Sequence, residues 1–413
     1  MAREKSTKKK KKEVVVEEEK KSVTLIKESN NYKLWEVIVI AIIAVIFGLI
    51  IGALISYRKF NREKNKDRFD EIREVYDSIT SDYYGELDKD ALVDGAIRGM
   101  MCSLNDPYAM FLDKESAQQY NENLSGDFIG AGITITPDES NRIIVIDVMK
   151  DTPADKAGFK VNDIIIKMDD VDYNYDNYMD MIYKIKSSKV GEKRTFRVLR
   201  KSEEIDLTVV LDKIEVDSVY SSIYEIDDRK VGIITITNFA SNTYSQFLEH
   251  YKELDKVGIT SLVIDVRENG GGYISSANRI ASLFLDKDTV LYQKTDGKTT
   301  EKIVNENEKT IFVPVVLIVN ENTASSAEIF VSSLVDNLNV DVVGVKTYGK
   351  GMVQKIMPLK SDAYIKYTVL EWLTSKGQKI DGVGIMPTKE VEYSETSETD
   401  DQLDEAINIA INK

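Results

Sequence analysis

Two uninterrupted apolar runs constrain the fold of this 413-residue chain more than any other feature. Residues 261–266 read SLVIDV and residues 314–319 read PVVLIV. Strands with one face in water alternate polar and apolar residues, whereas strands covered on both faces do not. Each run feeds a turn and then a helix. The first passes through Arg267-Glu268-Asn269-Gly270-Gly271-Gly272 into a helix over residues 276–285. The second passes through residues 320–325 into a helix with Ile329, Leu334 and Val335 on one face. Strands over 231–236 and 340–344 and a helix over 244–254 extend the alternation, which is the grammar of a helix-covered parallel sheet.

Candidate chemistry lies where these strands end. Ser325 stands at the second strand-to-helix turn, and Lys350 follows 25 positions later between Gly349 and Gly351. A hydroxyl at a helix start sits among outward-pointing N–H groups. A lysine serves as a base once burial holds it neutral, because its unperturbed pKa is roughly 10.4. The same residues have a plainer reading, with Ser325 and Glu328 as an S-x-x-E capping box and Lys350 in an exposed hairpin. The glycines at 270–272 allow close backbone approach to a ligand, but no phosphate-binding G-x-x-x-x-G-K-[ST] accompanies them.

Composition removes several alternatives. The net charge of −15 argues against a nucleic-acid partner. One cysteine, Cys102, excludes an intrachain disulfide and a cysteine-based metal site. It reads as a small core residue on a helix. The one histidine, His250, falls on an amphipathic surface helix, so a Ser-His-Asp triad has no natural candidate. No metal and no organic cofactor is expected.

The remaining chain divides by pattern. Residues 1–34 are a polar tail containing five consecutive lysines at 8–12. Residues 37–57 hold no charge, and Trp35 and Tyr57 stand at the two ends of the stretch, as interfacial aromatics of a membrane-spanning helix do. The stretch exceeds a signal-peptide core and lacks an A-x-A site, so 35–57 reads as an uncleaved anchor. Six basic residues over 58–68 against four over 20–33 do not favour the tail as the cytoplasmic side. Gly48 and Gly52 form the GxxxG pattern of membrane helix pairs. In the helical region 58–115, one face carries Phe69, Ile72, Tyr76 and Ile79, and a second carries Leu92, Ala96, Ile97, Met100 and Leu104. Residues 116–213 are β-rich, with strands over 128–136, 142–148, 164–168, 194–199 and 205–210 and short helices over 153–157 and 176–186. A core follows over 214–395, then a loose segment and a short helix over 396–413.

The runs N-x-x-T-A-S-S-A-E-I and VG-x-x-T-Y-G-K-G-x-V-Q resemble the signature of the C-terminal processing (tail-specific) peptidases. Family members usually read S-A-S-A-S-E where this chain has Thr323–Glu328, so the central serine is kept and both flanking ones differ. The resemblance extends to D-x-R-x-N-x-G-G at the glycine turn, where the family usually has proline in place of Gly270. It also covers EWLTSKGQKIDGVGIMPT and the helical run YGELDKDALVDGAIRGMMCSLNDPYAMFLDKE. GAGITI with DTPADKAGFKVNDIIIKMDD resembles a PDZ domain. The implied fold is α/β, with a crotonase/ClpP-like peptidase core, an inserted PDZ domain, an N-terminal helical region and one transmembrane helix.

The implied roles are Ser325 as nucleophile, Lys350 as general base, Gln354 as the amide orienting it, and the N–H groups of Gly271 and Ser326 as the oxyanion hole. Asp265 and Arg267 brace the glycine turn. The PDZ resemblance places peptide binding on Ile129, Gly130, Ala131, Gly132, Ile133 and Ile135. The implied partners are protein or peptide substrates with free C-termini, a membrane, and a second copy of the chain. The implied location is a cell membrane, with the tail cytoplasmic and the catalytic part outside. A non-catalytic PDZ scaffold and a crotonase-like acyl-CoA enzyme are the competing readings.

Overall fold

Six strands form the central sheet of this computed structural model, which describes residues 33–64, 68–394, 397 and 399–413. Their order is Val219–Ile226, Arg229–Ile236, Ser261–Asp265, Val315–Val319, Asp341–Gly344 and Lys389–Glu390. The first pair is antiparallel and the rest are parallel. Every residue of Ser261–Asp265 and Val315–Val319 is buried. Helices Thr243–Lys256, Ile274–Ser282 and Ser326–Leu338 contribute Phe247, Ile280 and Phe330 to the core on one face. On the other, Ala406, Ile407 and Ala410 of helix Asp401–Ile411 pack against Val263, Val316, Ile318 and Val343. Coverage on both faces is the physical reason for the two apolar runs. It also makes the short helix expected within 396–413 a layer of the core.

A second sheet runs Met110–Leu112, Tyr364–Thr374, Val290–Thr295 and Thr300–Val304, with Met352–Pro358 also paired to Tyr364–Thr374. Its strands bring the lysine segment beside the serine turn.

Residues 133–210 form a separate small sheet in the order Ile133–Pro137, Ile143–Val148, Ile164–Met168, Lys193–Arg200 and Glu203–Val210. The expected strand over 128–136 is two strands, Asp127–Gly130 and Ile133–Pro137, divided at Gly132 with φ 84°. Asp127–Gly130 pairs with Asp212–Glu215, so the chain enters and leaves this module through one two-stranded neck.

The chain divides into units of residues 1–89 and 90–413. In the first, helix Leu34–Lys64 contains the 22-residue stretch Trp35–Ser56 with mean hydropathy 3.3. Helix Arg68–Asp82 buries none of its residues, and Phe69, Ile72 and Val75 are exposed. The expected lysine run at 8–12 lies outside the described residues. Helix Lys89–Cys102 buries Met101 and sets Ile97 against Phe111 and Ala363. Met100 and Leu104 are exposed, so the buried face is rotated from the expected stripe. Cys102 is exposed rather than in the core, because Met101 takes the inward position.

Candidate active site

The turn between Val315–Val319 and Ser326–Leu338 holds Ser325 at φ 58° and ψ −122°. A non-glycine residue in such a conformation costs about 1–3 kcal/mol and persists only where its surroundings fix it. Here they do. Thr323 Oγ1 donates to Val266 O at 2.9 Å, and Ala324 N–H donates to Asn269 O at 2.9 Å. The Glu268 carboxylate accepts from Asn320 and Asn322 side-chain amides at 2.6 and 2.9 Å. The serine turn is thus bound to the glycine turn through Asn320, Asn322, Thr323 and Ala324.

Glu328 joins the serine to the lysine. Its side chain is 0% exposed. Oε2 accepts from Ser325 N–H at 3.0 Å and from Lys350 N–H at 2.8 Å. Oε1 accepts from Thr347 Oγ1 at 2.6 Å and Gly349 N–H at 2.7 Å. Burial pushes this carboxyl above its usual range, against four hydrogen bonds that favour the charged form. The expected capping box of Ser325 and Glu328 is present, and Glu328 adds to it three bonds to the lysine segment. Trp372 completes the lysine's frame, its Nε1–H donating to Lys350 O at 2.8 Å. No pattern in the sequence marked Trp372 for this task.

Ser325, Lys350 and Gln354 line one cleft of about 330 Å³, with Gly270, Gly272, Tyr273, Met352 and Lys366 among their neighbours. Burial lowers the Lys350 pKa, and the Glu328 charge opposes the shift. The Lys350 Nζ lies 5.1 Å from the centroid of the Tyr108 ring. Gln354 Nε2 donates to Met352 O at 2.9 Å, within the irregular pairing at Val353–Gln354, so its Oε1 is the end left to accept from a lysine.

Gly271 has φ 107°, and a Cβ there would stand 2.9 Å from Ser325 Cβ and 3.2 Å from Ser326 N. The glycine turn therefore lies directly against the serine. The Gly271 N–H itself donates to Asn269 Oδ1 at 2.9 Å. Ser326 N–H opens the helix, where no intrahelical carbonyl is available. The expected bracing of the turn extends further than Asp265 and Arg267. Arg267 binds Asp265 Oδ2 and Asp400 Oδ2 at 2.7 Å each, and Gln402 Oε1 at 3.0 Å. His250 is outside the cleft and pairs with Ser221 Oγ at 2.7 Å.

In the small module, Ile133–Pro137 is an edge strand. Ile129, Ile133 and Ile135 pack against its core, and Ala131 is buried. Gly130 closes the neck strand, and Gly132 O accepts from Met149 N–H at 3.0 Å. A cavity of about 550 Å³ lined by Phe128, Ile129, Lys186 and Tyr364 shares Tyr273 with the serine cleft.

The model of peptidase family S41 matches residues 230–391, and that of the PDZ domain matches 129–211. The model described as the N-terminal domain of the activating protease CtpB matches 53–116. The carboxy-terminal processing protease CtpA of Bacillus subtilis (strain 168) is 35% identical over 327 residues, 79% of this chain and 69% of the relative. The chain belongs to peptidase family S41, with the carboxy-terminal processing proteases. A probable CtpA-like serine protease of Staphylococcus haemolyticus (strain JCSC1435) is 32% identical over 369 residues, covering 87% of this chain and 73% of the relative. The photosystem II D1 C-terminal processing protease aligns over 82% of this chain and 92% of its own, at 22% identity and a TM-score of 0.44. The fold of this S41 peptidase is mixed α/β, with a PDZ domain and one N-terminal apolar helix. In it the sequence missed Glu328 as a hub, along with Tyr108, Asn269, Lys366 and Trp372.

Proposed function

We propose that this S41 peptidase is a serine endopeptidase that works through Ser325 and Lys350 and cuts protein substrates near their C-termini. The observation that carries the reading is the joint anchoring of both residues on Glu328, at the rim of one cleft. Ser325 Oγ attacks the scissile carbonyl. Neutral Lys350 takes the hydroxyl proton and returns it to the leaving amine, while Gln354 Oε1 orients the ammonium. Ser326 N–H and Gly271 N–H stabilise the oxyanion, the latter after exchanging Asn269 Oδ1 for the substrate oxygen. One such donor is worth about 3–4 kcal/mol.

The open edge of Ile133–Pro137 takes a peptide as an added strand, with the loop 129–132 at the peptide's terminal carboxylate. The shared Tyr273 makes a route from this loop to Ser325. Helix 35–56, at about 1.5 Å per residue, spans roughly 33 Å and crosses a bilayer. It anchors the enzyme with its catalytic part outside the cytoplasm. The exposed Phe69, Ile72 and Val75 fit a contact between two copies of the chain. The catalytic core keeps the crotonase/ClpP-like arrangement of a sheet with its nucleophile at a helix start.

Acid quenching of enzyme mixed with an unstructured substrate ending in a free apolar residue tests the nucleophile. An acyl adduct is expected on the proteolytic fragment containing Ser325. Turnover without any adduct there, or with one elsewhere, overturns the reading. A second expectation concerns pH. Because Lys350 acts neutral and burial lowers its pKa, kcat/KM rises with pH through a midpoint below the usual lysine value of about 10.4. A pH–rate profile with no such rising limb removes Lys350 as the base.

A further inference from the structure

The serine cleft contains a second lysine that the dyad does not use. Lys366 lies on Tyr364–Thr374, where it pairs with Ile356 of Met352–Pro358. Its Nζ stands 5.2 Å from the centroid of the Tyr120 ring on helix Lys114–Ser125. The cleft walls around it are Leu124, Ile274, Val353 and Ile356, which are apolar. Lys350 and Lys366 are the charged residues of that lining, and no Asp or Glu belongs to it.

Groups beyond the lining offset the Lys366 charge only from a distance, and none pairs with it directly. Asp106 is the nearby acid, but its oxygens accept Tyr108 N–H at 2.9 Å and Thr368 N–H at 3.2 Å. Glu328 is committed to its four donors. Among the described residues Lys366 has no ion-pair partner. Burial and the neighbouring Lys350 bring its pKa down to about 8, with Asp106 opposing. A half-buried ammonium without a counter-ion is costly, and an incoming anion removes the cost.

We infer that Lys366 is a specificity residue that binds a carboxylate of the substrate peptide beside the scissile bond. The chemistry allows two sources, the substrate's own C-terminal carboxylate and an acidic side chain flanking the cut. Either would sit against the Lys366 ammonium, in the same cleft as Ser325. The inference rests on the peptidase reading of the cleft.

Two peptide pairs separate the sources. One pair differs only in a free versus amidated C-terminus a few residues after the cut. The other is amidated and differs only in Glu versus Gln beside the cut. The ratio of kcat/KM within each pair is measured on the full chain, on Lys366→Met and on Lys366→Arg. A charge-assisted hydrogen bond gives an expected preference for the acid of about tenfold or more in at least one pair. Lys366→Met reduces that ratio to near one, and Lys366→Arg keeps most of it. A contribution from the PDZ domain is common to all three enzymes and cancels when their ratios are compared. Fluorescence anisotropy with the same peptides on Ser325→Ala chains, with and without Lys366→Met, reads the ratios without turnover. A wild-type ratio near one in both pairs, or a ratio that Lys366→Met leaves intact, overturns the inference. Cleavage that survives Ser325→Ala overturns the underlying reading instead, whatever Lys366 does.

Discussion

Alanine at position 325 is expected to lower kcat on an unstructured reporter by at least about 10⁴-fold while leaving the thermal midpoint near that of the parent. Removal of a serine nucleophile whose base and oxyanion donors remain has cost about 10⁶-fold in a well-studied protease, which sets the scale. The stability half of the expectation follows from the backbone. Ser325 keeps φ 58° because the turn is bound to Val266, Asn269 and Glu328, and alanine meets the same constraint with its Cβ in the same place. Glycine does not. Ser325→Gly is expected to be as inactive as Ser325→Ala but more stable by about 1 kcal/mol, the strain relieved being partly offset by glycine's freedom in the unfolded chain. Calorimetry on the two variants beside a cleavage assay decides the matter. Full activity in either variant would remove Ser325 from the chemistry, and a Ser325→Gly chain less stable than Ser325→Ala would remove the strain.

Glu328→Gln, in most proteins a mild change, is expected to be severe here. The amide oxygen can replace Oε1 and accept from Thr347 and Gly349. The NH₂ then replaces Oε2 and faces two donors, Ser325 N–H and Lys350 N–H. Two part-buried N–H groups then lose their acceptor, or, with the amide turned the other way, the buried Gly349 N–H does, at about 1–3 kcal/mol each. A loss of about 1–5 kcal/mol in unfolding free energy is therefore expected by chemical denaturation. The activity should fall by at least about 100-fold even in the fraction that folds, since an ångström of misplacement between reacting groups costs that much. Glu328→Gln with parental stability and turnover would show that the two loops hold their places without the carboxylate.

How far the sequence disclosed this arrangement depends on how local each signal was. Ser261–Asp265 and Val315–Val319 were legible because burial on both faces leaves nothing to alternate. Thr300–Val304, reading TEKIV with only Ile303 partly covered, and Met352–Pro358, reading MVQKIMP, gave no clean period and were missed. Ser325, Lys350 and Gln354 stood in recognisable runs, and the fold brings all three to one cleft. Glu328 showed only its neighbour three residues back, because the loop it holds lies 19 to 22 residues away. Lys366 looked like any polar residue of a strand, and only the packing of helix Lys114–Ser125 against that strand reveals its surroundings. The bond between Gly271 N–H and Asn269 was likewise beyond the sequence, since it depends on how the three glycines bend.

The clasp between Arg267 and Asp400 has a consequence for how the molecule is born. Translation delivers the glycine turn well over a hundred residues before the acid that holds its arginine. Until helix Asp401–Ile411 emerges from the ribosome, the far face of the sheet is bare and Arg267 has only Asp265. The glycine turn therefore waits for its second acid, and the sheet for its second cover, until helix Asp401–Ile411 has been made, long after the PDZ domain.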